Sequence, residues 1–155
     1  MSTTSAAPTR LQSSGVTGID PRGPQFTAAI TAVVLLASLL AGPGPVALVL
    51  VAVQTVLFAI GSTRGVQHTP IAWAFRTWVR PRLAAPDHLE DPAPPRFAQT
   101  VGLGFSVAAF LGLVTGLDAL TYAALGLALV AALLNAVFRF CLGCELFLLY
   151  KRATA

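Results

Sequence analysis

Residues 26–61, FTAAITAVVLLASLLAGPGPVALVLVAVQTVLFAIG, hold no charged side chain and one interruption, Gly42-Pro43-Gly44-Pro45. Two prolines and two glycines in succession cannot continue a helix, so the stretch reads as two apolar helices joined by a turn. A second block, 97–140, divides the same way near Thr115-Gly116-Leu117-Asp118. Four candidate spans result, at 24–41, 46–61, 97–115 and 119–140. A span needs about 20 residues to cross about 30 Å of hydrocarbon. The second pair meets that length, whereas the first pair offers only about 16–18 residues each. Local bilayer thinning absorbs such a shortfall; a re-entrant first hairpin is the alternative.

Composition agrees with the blocks. Of 155 residues, 55% are hydrophobic and 10% charged, and the mean hydropathy is +0.76, where a soluble domain carries about 25% charge. The expected fold class is an all-α membrane protein with four transmembrane helices, arranged as two related hairpins, each followed by a short interfacial helix. Residues 1–19 are polar and small and lack the apolar core and cleavage site of a signal peptide, so they read as a disordered cytoplasmic tail. The net charge of +4 is not spread among aromatics as a nucleic-acid groove requires, which excludes that partner. Instead it reports topology: the two turns contain no Lys or Arg, and all ten lie in the amino-terminal region, in 62–96 or at the carboxy-terminal end. By the positive-inside rule this is a multi-pass protein of the plasma membrane with both termini cytoplasmic.

The two blocks share an opening motif. Asp20-Pro21-Arg22-Gly23-Pro24-Gln25-Phe26 and Asp91-Pro92-Ala93-Pro94-Pro95-Arg96-Phe97 both read D-P-x-x-P-x-F, in which Asp caps a helix, Pro occupies its first turn and Phe begins the buried run. Each block is followed by aromatic and basic residues, at 71–80 and 145–152. The chain thus divides into 20–83, a Pro-rich linker at 84–96, and 97–152. Trp73, Arg76, Trp78, Arg80 and Arg82 are the candidate contacts with membrane lipid or a protein partner, rings at the headgroup level and guanidinium groups on phosphate.

Within the spans, Gln54 and Asn135 supply one amide per block, suited to interhelical hydrogen bonds. No carboxylate or basic side chain marks an ion pathway, which argues against a pump or ion-coupled transporter. Nucleotide-binding glycine loops and the H-E-x-x-H and G-x-S-x-G motifs are absent. No cofactor is implied. Small residues at Gly102, Gly104, Gly112 and Gly126 allow close helix approach within the chain or in a homo-oligomer.

The two cysteines, Cys141 and Cys144, stand three positions apart at the end of the last apolar run. An uninterrupted helix from 119 to 152 would be about 50 Å long, so a break is expected, at Leu142-Gly143. Cys144 would then begin the final helix, where free amide groups favour a thiolate. Arg139 would assist this and Glu145 oppose it. Three readings follow: a redox or sulfur-handling dithiol, two small residues in a helix, or half of a metal site completed by His68 and His88, whose spacing matches no zinc module. A permanent disulfide is not expected in a reducing compartment.

Several motifs resemble an uncharacterised actinobacterial integral-membrane family, domain of unknown function 4395. They are D-P-R-x-x-x-F at 20–26, V-R-P-R-L at 79–83, E-D-P-x-P-P-R-F-A-Q at 90–99 and L-N-A-x-x-x-F-C-L-G-C-E at 134–145. The position before Phe140 is often Gly in such proteins and is Arg139 here, which argues against a helix break at that point. The resemblance implies association with a thioredoxin-like or sulfurtransferase protein and strengthens the dithiol reading of Cys141 and Cys144. The alternative is a non-catalytic scaffold that binds lipid or a partner through its basic, aromatic central segment.

Overall fold

Prolines mark where three of the four long helices begin, at Pro21, Pro45 and Pro92, whereas the last of the four begins at Asp118 after a glycine turn. In the computed structural model, which describes residues 18–154, the helices are α1 (Arg22–Ala41), α2 (Pro45–Arg64), α3 (Pro70–Ala74), α4 (Ala93–Thr115), α5 (Asp118–Phe138) and α6 (Leu142–Thr154). The helical path of α3 continues through a π turn at Phe75–Val79 and a 3₁₀ turn at Arg80–Arg82. Asp20 Oδ1 accepts the Arg22 N–H at 3.0 Å and Asp91 Oδ1 accepts the Ala93 N–H at 2.9 Å. Both copies of the opening motif therefore satisfy first-turn amides that would otherwise be orphaned. The fold is all-α; among the described residues the only extended pairing is one isolated bridge.

Four helices are long and apolar enough to cross a membrane: α1 and α2 with 20 residues each, α4 with 23 and α5 with 21. The first pair is thus longer than the sequence reading allowed. Pro24 sits inside the first turn of α1, and Ser62, Thr63 and Arg64 extend α2, with Thr63 Oγ1 donating to the Ala59 carbonyl at 2.7 Å. Polar residues at a helix end do not stop the helix when their hydroxyls bond the preceding turn. The length argument for a re-entrant first pair disappears.

Packing in the bundle is inverted relative to a soluble protein. Its centre is built from small or polar residues, among them Ala109, Ala124, Ala128, Ser38, Thr31 and Ser106, with Leu35, Val51 and Leu125 between them. Large aliphatic side chains face outward, with Val33 66% and Leu40 80% exposed. That distribution suits helices whose surroundings are as apolar as leucine and whose association rests on close approach. Gly102 lies under the Phe58 ring and Gly112 under Thr121, while Gly104 and Gly126 face open space. Gln54 Nε2 donates to Thr31 Oγ1 at 3.4 Å, an α2–α1 bond of the kind expected of that amide.

Of the sequential pairs only α4 and α5 pack extensively. α1 packs most extensively on α5, and α2 on α4. Some equivalent residues of the two halves make equivalent contacts. Ile19 and Glu90, each directly before the Asp of its motif, exchange two backbone hydrogen bonds of 2.9 Å. Phe26 packs on Phe75 with ring centroids 5.7 Å apart, and Phe97 on Phe147 at 5.6 Å. The expected tail reaches no further than Gly18 and Ile19 here, since 1–17 lie outside the described residues, and Ile19 belongs to this pairing.

Candidate functional site

The turn between α5 and α6 fixes the cysteines. α5 ends at Phe138, and Arg139 adopts left-handed backbone with φ 57°. Its N–H donates to the Asn135 carbonyl at 3.1 Å, and the Phe140 N–H reaches the Leu134 carbonyl at 3.2 Å. This is the closing pattern of a helix C-terminus, normally given to glycine. The break therefore falls at Arg139–Cys141, ahead of the Leu142-Gly143 expected from the sequence. An arginine occupies the left-handed position despite its side chain, at a cost of order 1–2 kcal/mol.

Moving the break changes which cysteine starts the helix. Cys141 is the cap of α6: its Sγ accepts the Cys144 N–H at 3.3 Å, and its carbonyl accepts the Glu145 N–H at 3.0 Å. Cys144, expected at that end, sits one turn inside and supplies the capped amide. The two sulfurs stand at disulfide distance, with Cα atoms 5.2 Å apart. Glu145 is exposed. Gly143 lies directly on α4, where an added Cβ would come within 2.7 Å of the Ala98 Cα and Cβ. The glycine of the C-L-G-C sequence is thus required for close approach.

Beneath the cysteines runs a cavity of about 410 Å³ between the long helices, and both cysteines line it. Its ionisable lining residues, Arg22, Asp87, His88, Glu90 and Arg139, lie at the helix ends or in the 84–92 segment. Further in, the walls are apolar or neutral polar, including Thr31, Phe58, Phe105, Ala128, Gln99 and Asn135. Asn135 was expected to bridge helices and instead lines this cavity. His88 Nε2 lies 3.4 Å from Glu90 Oε1 at the same end. His68 lines a different cavity and its Nδ1 bonds the Arg64 carbonyl at 2.7 Å. Among the described residues no group of three or more His, Cys, Asp and Glu side chains converges in a way that could hold a metal ion.

The aromatic and basic residues of the central segment form a separate place on the molecule. α3 rests on α1, whereas α6 rests on α4. Trp73 and Trp78 are more than half exposed and meet edge to face at 5.4 Å. Their neighbouring arginines also serve the fold. Arg80 Nε lies 3.9 Å from the buried Asp20 Oδ2, Arg76 donates to the Gln67 carbonyl, and Arg82 to the Trp78 carbonyl. Arg96, not singled out by the sequence reading, donates to the Ser62 and Thr63 carbonyls at 2.7 and 2.8 Å, where a cation suits the negative end of α2.

This bundle of four apolar helices is the architecture of a multi-pass membrane protein. Residues 19–152 match the domain of unknown function DUF4395, and the chain belongs to that family. Neither the curated proteins nor the solved structures contain a match to the chain.

Proposed function

We propose that this protein is a membrane component that exchanges disulfides, or transfers sulfur, through Cys141 and Cys144 at the cytoplasmic face. One observation carries the reading: the Cys141 sulfur caps α6, within disulfide reach of Cys144, at the mouth of a cavity. In the reduced state a Cys141 thiolate would accept the Cys144 N–H at the positive end of a helix, which favours the ionised, nucleophilic form. Such a thiolate attacks a disulfide of a soluble thioredoxin-like partner. A mixed disulfide forms and one partner thiolate leaves. Cys144, losing its proton, then attacks the Cys141 sulfur, and the second partner thiolate leaves with the electron pair. The partner disulfide is reduced and the pair oxidised; the same steps in reverse oxidise the partner. Cytoplasmic orientation is supported by the basic residues at the cysteine end and their absence from both turns.

The test is the redox state of the pair in intact cells, by acid trapping and mass-tagged alkylation before and after a short oxidant pulse. A reversible change from two free thiols to none supports cycling. Thiols that never change state sink the proposal.

A second reading rests on the exposed Trp73–Trp78 pair. In it the central segment lies at the headgroup level and the protein scaffolds lipid or a partner without chemistry. It expects a Cys141→Ala, Cys144→Ala double variant to keep its cellular role and an Arg76→Ala, Arg82→Ala variant to lose it.

A further inference from the structure

An exchanging dithiol needs a terminal donor or acceptor of electrons, and the cavity beneath the cysteines suggests which. We infer that it binds the ring of a membrane quinone and that Cys141 and Cys144 pass two electrons to it. The inference rests on the thiol-exchange reading above. Three observations carry it.

First, the two sulfurs line the same cavity as residues between the long helices, so the cysteines and a ring bound toward their end would share one space. Second, the deeper lining is without charge. Thr31 from α1, Phe58 from α2, Gln99 and Phe105 from α4, and Ala128 and Asn135 from α5 form it, while every charged lining residue lies at the cysteine end. An anion such as thiosulfate or phosphate would lose its hydration among those deeper residues without a cation to replace it, and would be held instead at the cysteine end beside Arg22 and Arg139. A neutral ring with two carbonyl acceptors finds aromatic walls and amide N–H donors instead. Third, the volume of about 410 Å³ falls within the range of small-molecule pockets, about 300–1,000 Å³.

The reaction balances with the quinone as oxidant. Two S–H bonds break and one S–S bond forms; two electrons enter the ring, and two protons complete the O–H groups of the quinol.

The experiment uses the full chain in lipid nanodiscs, reduced and freed of oxygen, with decylubiquinone, whose fully substituted ring resists simple thiol addition. Quinol formation is followed by absorbance and thiols are counted at the end. Reduction of oxidised glutathione by the same protein is measured in parallel. The expected result is quinol matched to the loss of both thiols and abolished in Cys141→Ser. The ratio of quinone to glutathione reduction should fall roughly tenfold when Ala128→Phe fills the cavity. The milder Ala131→Leu, less disturbing to folding, should lower the same ratio in the same direction. Glutathione reduction without quinol formation by the unaltered protein would overturn the quinone inference and leave the exchange reading standing. A ratio unchanged in both filled variants would overturn the cavity as the site. Failure of the unaltered protein with both oxidants would overturn the exchange reading as well.

Discussion

The two halves of the molecule end in short helices built on one plan with different chemistry. In the first, Thr69 caps α3 by accepting the Ala72 N–H at 3.1 Å. In the second, Cys141 caps α6 by accepting the Cys144 N–H at 3.3 Å. The aromatic ring that returns to the opening motif, Phe75 or Phe147, is the sixth residue after each cap. The T-x-x-A of one half is therefore the C-x-x-C of the other. A cap is a structural device wherever it occurs; a sulfur in that role, with a second sulfur at the amide it caps, is also a redox device. Surroundings separate the two further. Thr69 is 2% exposed, whereas both cysteines are partly accessible and open onto the cavity.

Ways to break this comparison differ in size. The largest effect is expected at the sulfurs. Cys144→Ser should abolish turnover and leave Cys141 trapped as a mixed disulfide with a thioredoxin-like partner, seen as a non-reducing gel shift. An adduct trapped instead on Cys144, in Cys141→Ser alone, would show that the cap does not choose the nucleophile. Next come the rings. Phe75 is 3% exposed, so Phe75→Ala should cost about 3–5 kcal/mol in a reversible unfolding assay. Phe147 is only half-buried, and Phe147→Ala should cost clearly less; equal losses would mean the halves are more alike than their burial indicates.

Gly143→Val drives a side chain into Ala98 and should cost about 1–3 kcal/mol, with faster alkylation of the displaced cysteines. Thr69→Ala removes the cap together with the bond that Thr69 Oγ1 donates to the Val66 carbonyl at 3.0 Å, and should cost about 1–2 kcal/mol with no change in thiol chemistry. Smallest is Arg139→Gly, which relieves a left-handed arginine and should raise stability by about 1 kcal/mol. A loss of stability there would mean that the arginine side chain compensates for its backbone.

Long features were legible in the sequence and short ones were not. The number of apolar helices, both turns and the Asp of each opening motif follow from hydrophobic length and from residues whose backbone needs are narrow. The repeat was visible as well, but not that Ile19 and Glu90 pair, because backbone hydrogen bonds leave no trace in side-chain identity. The helix break was misplaced because glycine was weighed by type. Arg139 takes the left-handed turn while Gly143, two residues past the cap, serves close packing against Ala98. That shift moved the cap from Cys144 to Cys141. The cavity could not be read at all, since its lining gathers residues from both halves that are distant along the chain.

The crossed packing of α1 on α5 and α2 on α4 also bears on biosynthesis. Helices can insert into a bilayer independently and associate afterwards. The first two to emerge from a ribosome would enter the membrane without their chief neighbours and wait for the second two. The Ile19–Glu90 pairing can close only once residue 90 has been made, so the amino-terminal half is an unfinished surface for most of synthesis. A chain stopped near residue 83 would insert and then stay open to other helices, including those of a second copy.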